Sequence, residues 1–143
     1  GVRALMQAAA TAHGSIDVLV NNAGINRVGD FDQITDAMWD DVVDTNLKGA
    51  FNLVKAVQRS ILKSKCGRII NVASELAYLG RAGNSVYCAS KGGVLSLTRS
   101  WARELAPDQD PRPVVDLLVA ANGGRSALDA GQEIVIPAEL LGG

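Results

Sequence analysis

The chain should fold as an α/β domain on a parallel sheet, and two features of its pattern say so. Short β-branched apolar runs, DVLVNN and RIINVAS, read as strands buried within a sheet. Longer segments with apolar residues at helical spacing flank and separate them. Strands that alternate with helices imply crossover connections, hence parallel neighbours with helices on the faces.

Residues 1–13 place Val2, Leu5, Met6 and Ala9 at helical spacing, and Gly14 is suited to end that helix. Asp17 to Asn22 is the first strand, and a glycine-bearing loop follows. Thr35 is a good N-cap with Asp36 in the first turn. From there Trp39, Val42, Val43, Leu47, Ala50, Phe51, Val54, Val57 and Ile61 trace one face of a long helix, which Gly67 ends behind a lysine-rich last turn. Arg68 to Ser74 is the second strand, leading into a polar, glycine-containing loop. Ser85 to Ala106 is helical by periodicity and stops at Pro107. Val114 to Ala121 reads as a further helical turn or two, and Gln132 to Ile136 as a third strand. The linker-like stretch is PDQDPRP, Pro107 to Pro113.

The 143 residues suffice for one domain with a single core, and 48% hydrophobic with 20% charged residues is ordinary for a soluble globular protein. A formal net charge of -1 argues against nucleic acid as a partner. Apolar runs such as PVVDLLVAA are broken by Asp and fall short of a membrane span. No basic-then-apolar signal segment opens the chain. Cys66 and Cys88 are far apart, with no CxxC and one histidine, His13, so free thiols in a reducing compartment are expected rather than a disulfide or a metal site. The composition thus predicts a cytoplasmic protein.

In open parallel sheets, ligands bind at the carboxyl ends of the strands. NNAG (Asn21 to Gly24) ends the first strand and Ser74 the second. NNAG can be a plain turn, or a loop whose Gly24 lets a ligand approach the backbone. Tyr87 and Lys91, at i and i+4, project from one helix face. A phenol alone is too weak an acid for proton transfer near neutrality, but an ammonium beside it favours the phenolate. The plain alternative is a surface tyrosine over a lysine stem. Ser74 can polarise a carbonyl oxygen or merely cap a turn. Asn46 is a polar residue between Val43 and Leu47, near the inward face. It must find partners there, either backbone freed by a helix irregularity or a water leading towards Lys91.

Taken together, DVLVNNAG, DTNLKGAFNLVKA, GRIINVAS and YCASKGGVLSLTRSWARELAP resemble the short-chain dehydrogenase/reductase family, densely from about Ile16 to Pro107. The resemblance implies a Rossmann-like, doubly wound parallel sheet, incomplete here at three strands with flanking helices. It also implies hydride transfer between NAD or NADP and a small-molecule carbonyl or secondary alcohol. In that family serine, tyrosine and lysine form a catalytic triad with an asparagine as fourth member, which by motif are Ser74, Tyr87, Lys91 and Asn46. Asn22, Ala23 and Gly24 would line the dinucleotide together with Tyr87 and Lys91, Lys91 bonding the nicotinamide ribose. A homo-oligomer, dimer or tetramer, is expected through the helix after Thr35 and the helix carrying Tyr87. Close relatives by this resemblance are ketoacyl-carrier-protein reductases and polyol or sugar-acid dehydrogenases.

Two departures qualify the resemblance. The sequence holds no TGxxxGxG turn, the family's pyrophosphate cradle, and no acidic or basic selector that would choose between NAD and NADP. After Gln109 it passes directly to DPRPVVDLLVAA where the family continues with RVNxVxPG, and Pro137, Ala138 and Glu139 stand in place of DGG. The chain therefore reads as one partial domain, residues 1–143, in which a central catalytic segment (1–109) joins a C-terminal segment (110–143) with a piece lost near Gln109 to Pro111. The alternative to an enzyme is a catalytically silent fragment that acts as an oligomerising protein.

Overall fold

The computed structural model describes residues 1–105. The expected helix at Val114–Ala121, the strand at Gln132–Ile136, and the join near Gln109 lie outside the described residues.

Helix α1, Val2–His13, ends where Gly14 turns to φ 86° and its N–H bonds the Ala10 carbonyl. Met6 reaches the core, but Leu5 stays 60% exposed, so the inward stripe of α1 is narrower than its apolar pattern suggested. Strand β1, Val18–Asn21, pairs in parallel with β2, Arg68–Asn71, in the register Leu19 to Ile69 and Asn21 to Asn71. Both strands are shorter than the apolar runs that predicted them. Among the described residues the sheet has these two strands. Leu19 is buried against Val54, Val57 and Ile61, and Met6, Ile16, Ile69, Trp101 and Leu105 close that cluster. Val18 and Val20, pointing the other way, remain 36% and 42% exposed. The expected full burial of the first strand is thus met on one face.

Thr35 caps α2, Asp36–Val43, by accepting the Met38 amide at 3.2 Å. The expected single long helix is interrupted. Asp44–Lys48 forms a π-helical turn, and α3 resumes over Gly49–Lys63. Buried residues still run in a row through it, Val42, Asn46, Ala50, Val54, Val57 and Ile61, while Trp39 and Phe51 face outward at 47% and 41% exposure. α3 stops at Lys63, before Gly67, because Ser64 turns extended and its hydroxyl donates to the Asp17 carboxylate at 2.6 Å. The Ser60 hydroxyl accepts the Ile16 amide, so the end of α3 is pinned to the lead-in of β1. Hydrogen bonds from Ser64 and then Ser15 hold the Asp17 carboxyl below its ordinary range.

After β2 a short helix α4, Leu76–Leu79, appears where a loop was expected. Helix α5, Ser85–Leu105, then packs against α4, α2 and the π turn. Gly93 is what lets it come so close: a β-carbon there would sit 2.9 Å from both methyl carbons of Leu47. The crossing places the first half of α5 beside the ends of both strands.

Candidate active site

The strand ends carry polar side chains where β1 and β2 would otherwise continue apolar. Asn21, on the buried face with Leu19, donates to the Asn71 side-chain oxygen at 2.7 Å. Asn71 donates to the Thr98 hydroxyl at 2.9 Å, and Thr98 donates to the Val94 carbonyl at 2.7 Å. The last bond sets the direction of the whole chain. Thr98 spends its proton on Val94 and so must accept from Asn71, which leaves the Asn21 side-chain oxygen as an acceptor at the far end. That oxygen is buried and has no hydrogen-bond partner among the described residues. Asn21 lines a cavity of about 40 Å³ shared with Asn46, Val72 and Lys91. A space of that size holds one water molecule, to which the Asn21 oxygen and the Lys91 amine offer polar partners within an otherwise largely apolar lining.

Asn46 projects from the π turn and is 3% exposed. Its oxygen accepts the Ile25 amide at 2.8 Å, and its nitrogen donates to the Ile25 carbonyl at 2.9 Å and to the Ser90 hydroxyl at 3.0 Å. The amide therefore pairs with Ile25 as a neighbouring strand would, and both its N–H groups are spent. Asn46 does sit at a helix irregularity, but the backbone it bonds is that of the loop at Ile25 and not backbone freed by the helix. Ser90 in turn donates to the Tyr87 carbonyl at 2.8 Å. A wide helical turn is often found where a helix must present a functional side chain inward, as here.

Lys91 is 4% exposed and its ammonium donates to the Val72 carbonyl at 2.7 Å. Burial pushes its pKa below the ordinary 10.5. The same nitrogen lies 5.8 Å from the centre of the Tyr87 ring. Above it passes Gly24, where a β-carbon would stand 3.4 Å from the Lys91 nitrogen and 3.6 Å from the Asn46 oxygen. Asn22, Ala23 and Gly24 are exposed, so the backbone of this loop forms an open ledge over a buried amine. Tyr87 is half-buried beside it.

Ser74 lies past the end of β2, two residues beyond Val72. Its oxygen accepts the Leu76 amide at 3.2 Å at the start of α4. No hydrogen bond joins it to Tyr87 or Lys91 among the described residues. The structure thus brings Asn46, Tyr87, Lys91 and Gly24 together directly, and Ser74 only by way of the short segment from Val72. Missed from the sequence were Ser90, the Asn71–Thr98 pair and Asn84, the residue before α5. Ser90, adjacent to Lys91 and on the inward face of the helix with Val86 and Val94, was the most accessible of these.

The donor set suits the ribose and nicotinamide end of a dinucleotide. The Lys91 amine lies between the Tyr87 ring and the loop backbone at Gly24, where the lack of a side chain permits the close approach.

Comparison with known proteins shows the family. The chain is 45% identical over 105 residues to 3-oxoacyl-[acyl-carrier-protein] reductase FabG of Staphylococcus aureus, covering 73% of the chain and 43% of that protein. It is 44% identical over 93 residues to the reductase of the same name from Salmonella typhimurium, covering 65% and 38%. A crystal structure of a candidate short-chain alcohol dehydrogenase from Sinorhizobium meliloti superposes with a TM-score of 0.70 at 39% identity, over 75% of this chain and 45% of that one. The chain thus spans less than half the length of these relatives. The family model described as short chain dehydrogenase matches residues 1–124. On that match and these identities, the chain belongs to the short chain dehydrogenase family.

Proposed function

We propose that the chain carries the proton-transfer centre of an NAD(P)(H)-dependent carbonyl reductase or alcohol dehydrogenase. In this reading residues 1–109 are its catalytic segment and 110–143 its C-terminal segment. The observation that carries the reading is the buried Lys91 amine, held at 2.7 Å by the Val72 carbonyl, beside the Tyr87 ring and under the Gly24 ledge. A buried lysine costs stability unless something uses it.

A nicotinamide dinucleotide bound along Asn22, Ala23 and Gly24 would supply or accept the hydride. Tyr87 would give its hydroxyl proton to the carbonyl oxygen as charge develops there, and take it back in the reverse direction. Lys91, with N–H groups beyond the one given to Val72, would bond the ribose and stabilise the negative charge left on the phenol oxygen. The Ser74 oxygen accepts from Leu76, which leaves its own proton free to bond the substrate oxygen. The hollow shared by Asn21, Asn46 and Lys91 gives a proton arriving at the amine room for a hydrogen-bonded relay. The FabG relatives are 3-oxoacyl-[acyl-carrier-protein] reductases, which makes a 3-oxoacyl thioester the first substrate to try.

A second reading is favoured by the apolar side chains left exposed on the helices after Thr35. Here the fold serves only to associate, through the outward Trp39 and Phe51 and the helices that bear them. Titration with NADH and NADPH, followed by nicotinamide fluorescence, separates the two readings. Saturable binding, with loss of 340 nm absorbance on adding acetoacetyl thioester, supports the reductase. Absence of binding at millimolar cofactor supports the association reading.

A further inference from the structure

The loop from Asn22 to Asp30 carries the exposed ledge, yet it has no regular structure of its own. It is held instead by the exposed Arg27–Asp41 ion pair at 3.1 Å and at three further points. Asn46 pairs with Ile25, the Asn26 side chain donates to the Asn84 side-chain oxygen at 2.6 Å, and the Gly29 amide donates to the Gly83 carbonyl at 3.0 Å. Two of these reach the segment that starts α5. Asn84 is the residue before the helix and is 7% exposed. Its carbonyl takes the Cys88 amide at 2.9 Å, and its nitrogen donates to the Ala82 carbonyl at 3.0 Å. At such a position the side-chain oxygen ordinarily takes an amide of the first turn. Here it accepts Asn26 from across the loop.

Asn84 stands three residues before Tyr87, and Asn26 two residues after Gly24. The bond therefore spans the two pieces of backbone whose spacing decides where the phenol lies relative to anything on the ledge. We propose that Asn26 and Asn84 are a positioning pair that sets the Tyr87 hydroxyl against the Asn22–Gly24 loop. This rests on the reading of Tyr87 as the proton donor. Gly83, at φ 73°, makes the tight turn that brings Asn84 into reach.

The test is a cycle of Asn26→Ala, Asn84→Ala and the double variant, in a Tyr78→Phe parent. That parent leaves Tyr87 as the sole tyrosine of the two in the chain, and 3-fluorotyrosine then gives a single fluorine resonance. Each single variant should move that resonance, and the double variant should move it no further, because all three remove the same bond. Turnover of acetoacetyl thioester should fall roughly tenfold to a hundredfold in kcat, with KM for thioester and cofactor little changed, as expected for a misplaced reacting group. A resonance that stays put in both single variants, or shifts that add in the double variant, would overturn the pairing. So would a lowered melting temperature with an unchanged resonance, the mark of a purely structural bond. If the parent itself turns nothing over, the acid/base reading fails, and the fluorine cycle still decides whether the pair positions Tyr87.

Discussion

Asn46 pairs with both backbone groups of Ile25, at 2.8 and 2.9 Å, although they lie 21 residues apart in sequence. One side chain from a helix thus acts as a strand edge for an irregular loop. Asn46→Asp keeps the acceptor for the Ile25 amide but sets a carboxylate against the Ile25 carbonyl and removes the donor to Ser90. Asn46→Ala removes all three bonds. Both should lower stability, by about 1–3 kcal/mol for the alanine and more for the buried charge. Urea unfolding midpoints measure this, and an aspartate variant as stable as the parent would contradict the pairing.

Lys91 has its pKa lowered by burial, and this fixes the sign of a pH effect. Below its native pKa, Lys91 is protonated in both states and the fold bears the full cost of burying the charge. Between that value and the ordinary 10.5, the unfolded chain binds the extra proton, so stability rises with pH. Above 10.5 the contribution is flat. Lys91→Met should lack this rise. Chemical unfolding at a series of alkaline pH values tests it through the difference in slope between parent and variant.

Tyr87→Phe removes one hydroxyl from a half-buried ring and leaves the ring's packing in place. Cofactor affinity and melting temperature should stay near those of the parent, while carbonyl reduction falls below detection. Retained turnover would remove Tyr87 from the proton step.

Gly93→Ala should destabilise the fold by about 1–3 kcal/mol, since the added carbon meets Leu47 in a tight crossing. Leu47→Ala opens that space, so the pair should be less harmful together than the sum of its parts. Melting curves of the two single variants and the double variant give the coupling directly.

Much of this was legible in the residues. Apolar periodicity located α1, α3 and α5 and both strands, because burial against a single face imposes those spacings. Thr35 announced its cap, and the interval from Tyr87 to Lys91 announced a shared face. The π turn was not legible, since nothing in DTNLK favours a wider turn locally. It arises from what Asn46 reaches across the fold. The ends of β1 and β2 were overrun because NN and VAS are compatible with extended backbone, and only the absence of further pairing stops the ladder. Asn84 was passed over because its partner, 58 residues away, is set by tertiary structure.

The π turn has a consequence for the rest of the helical rod. Buried positions pass through it at intervals of four residues, from Val42 to Asn46 to Ala50 to Val54. In an unbroken α-helix each interval of four overshoots a full turn by about 40°, so such a row would wind away from the sheet. The wider turn absorbs the surplus, like a leap day keeping a calendar in season. Winding Asp44–Lys48 into a regular α-helix with every residue kept would turn everything after it by about 100°. Val54, Val57 and Ile61 would then face away from Leu19, and the helix would lose its place although each of its own bonds had improved.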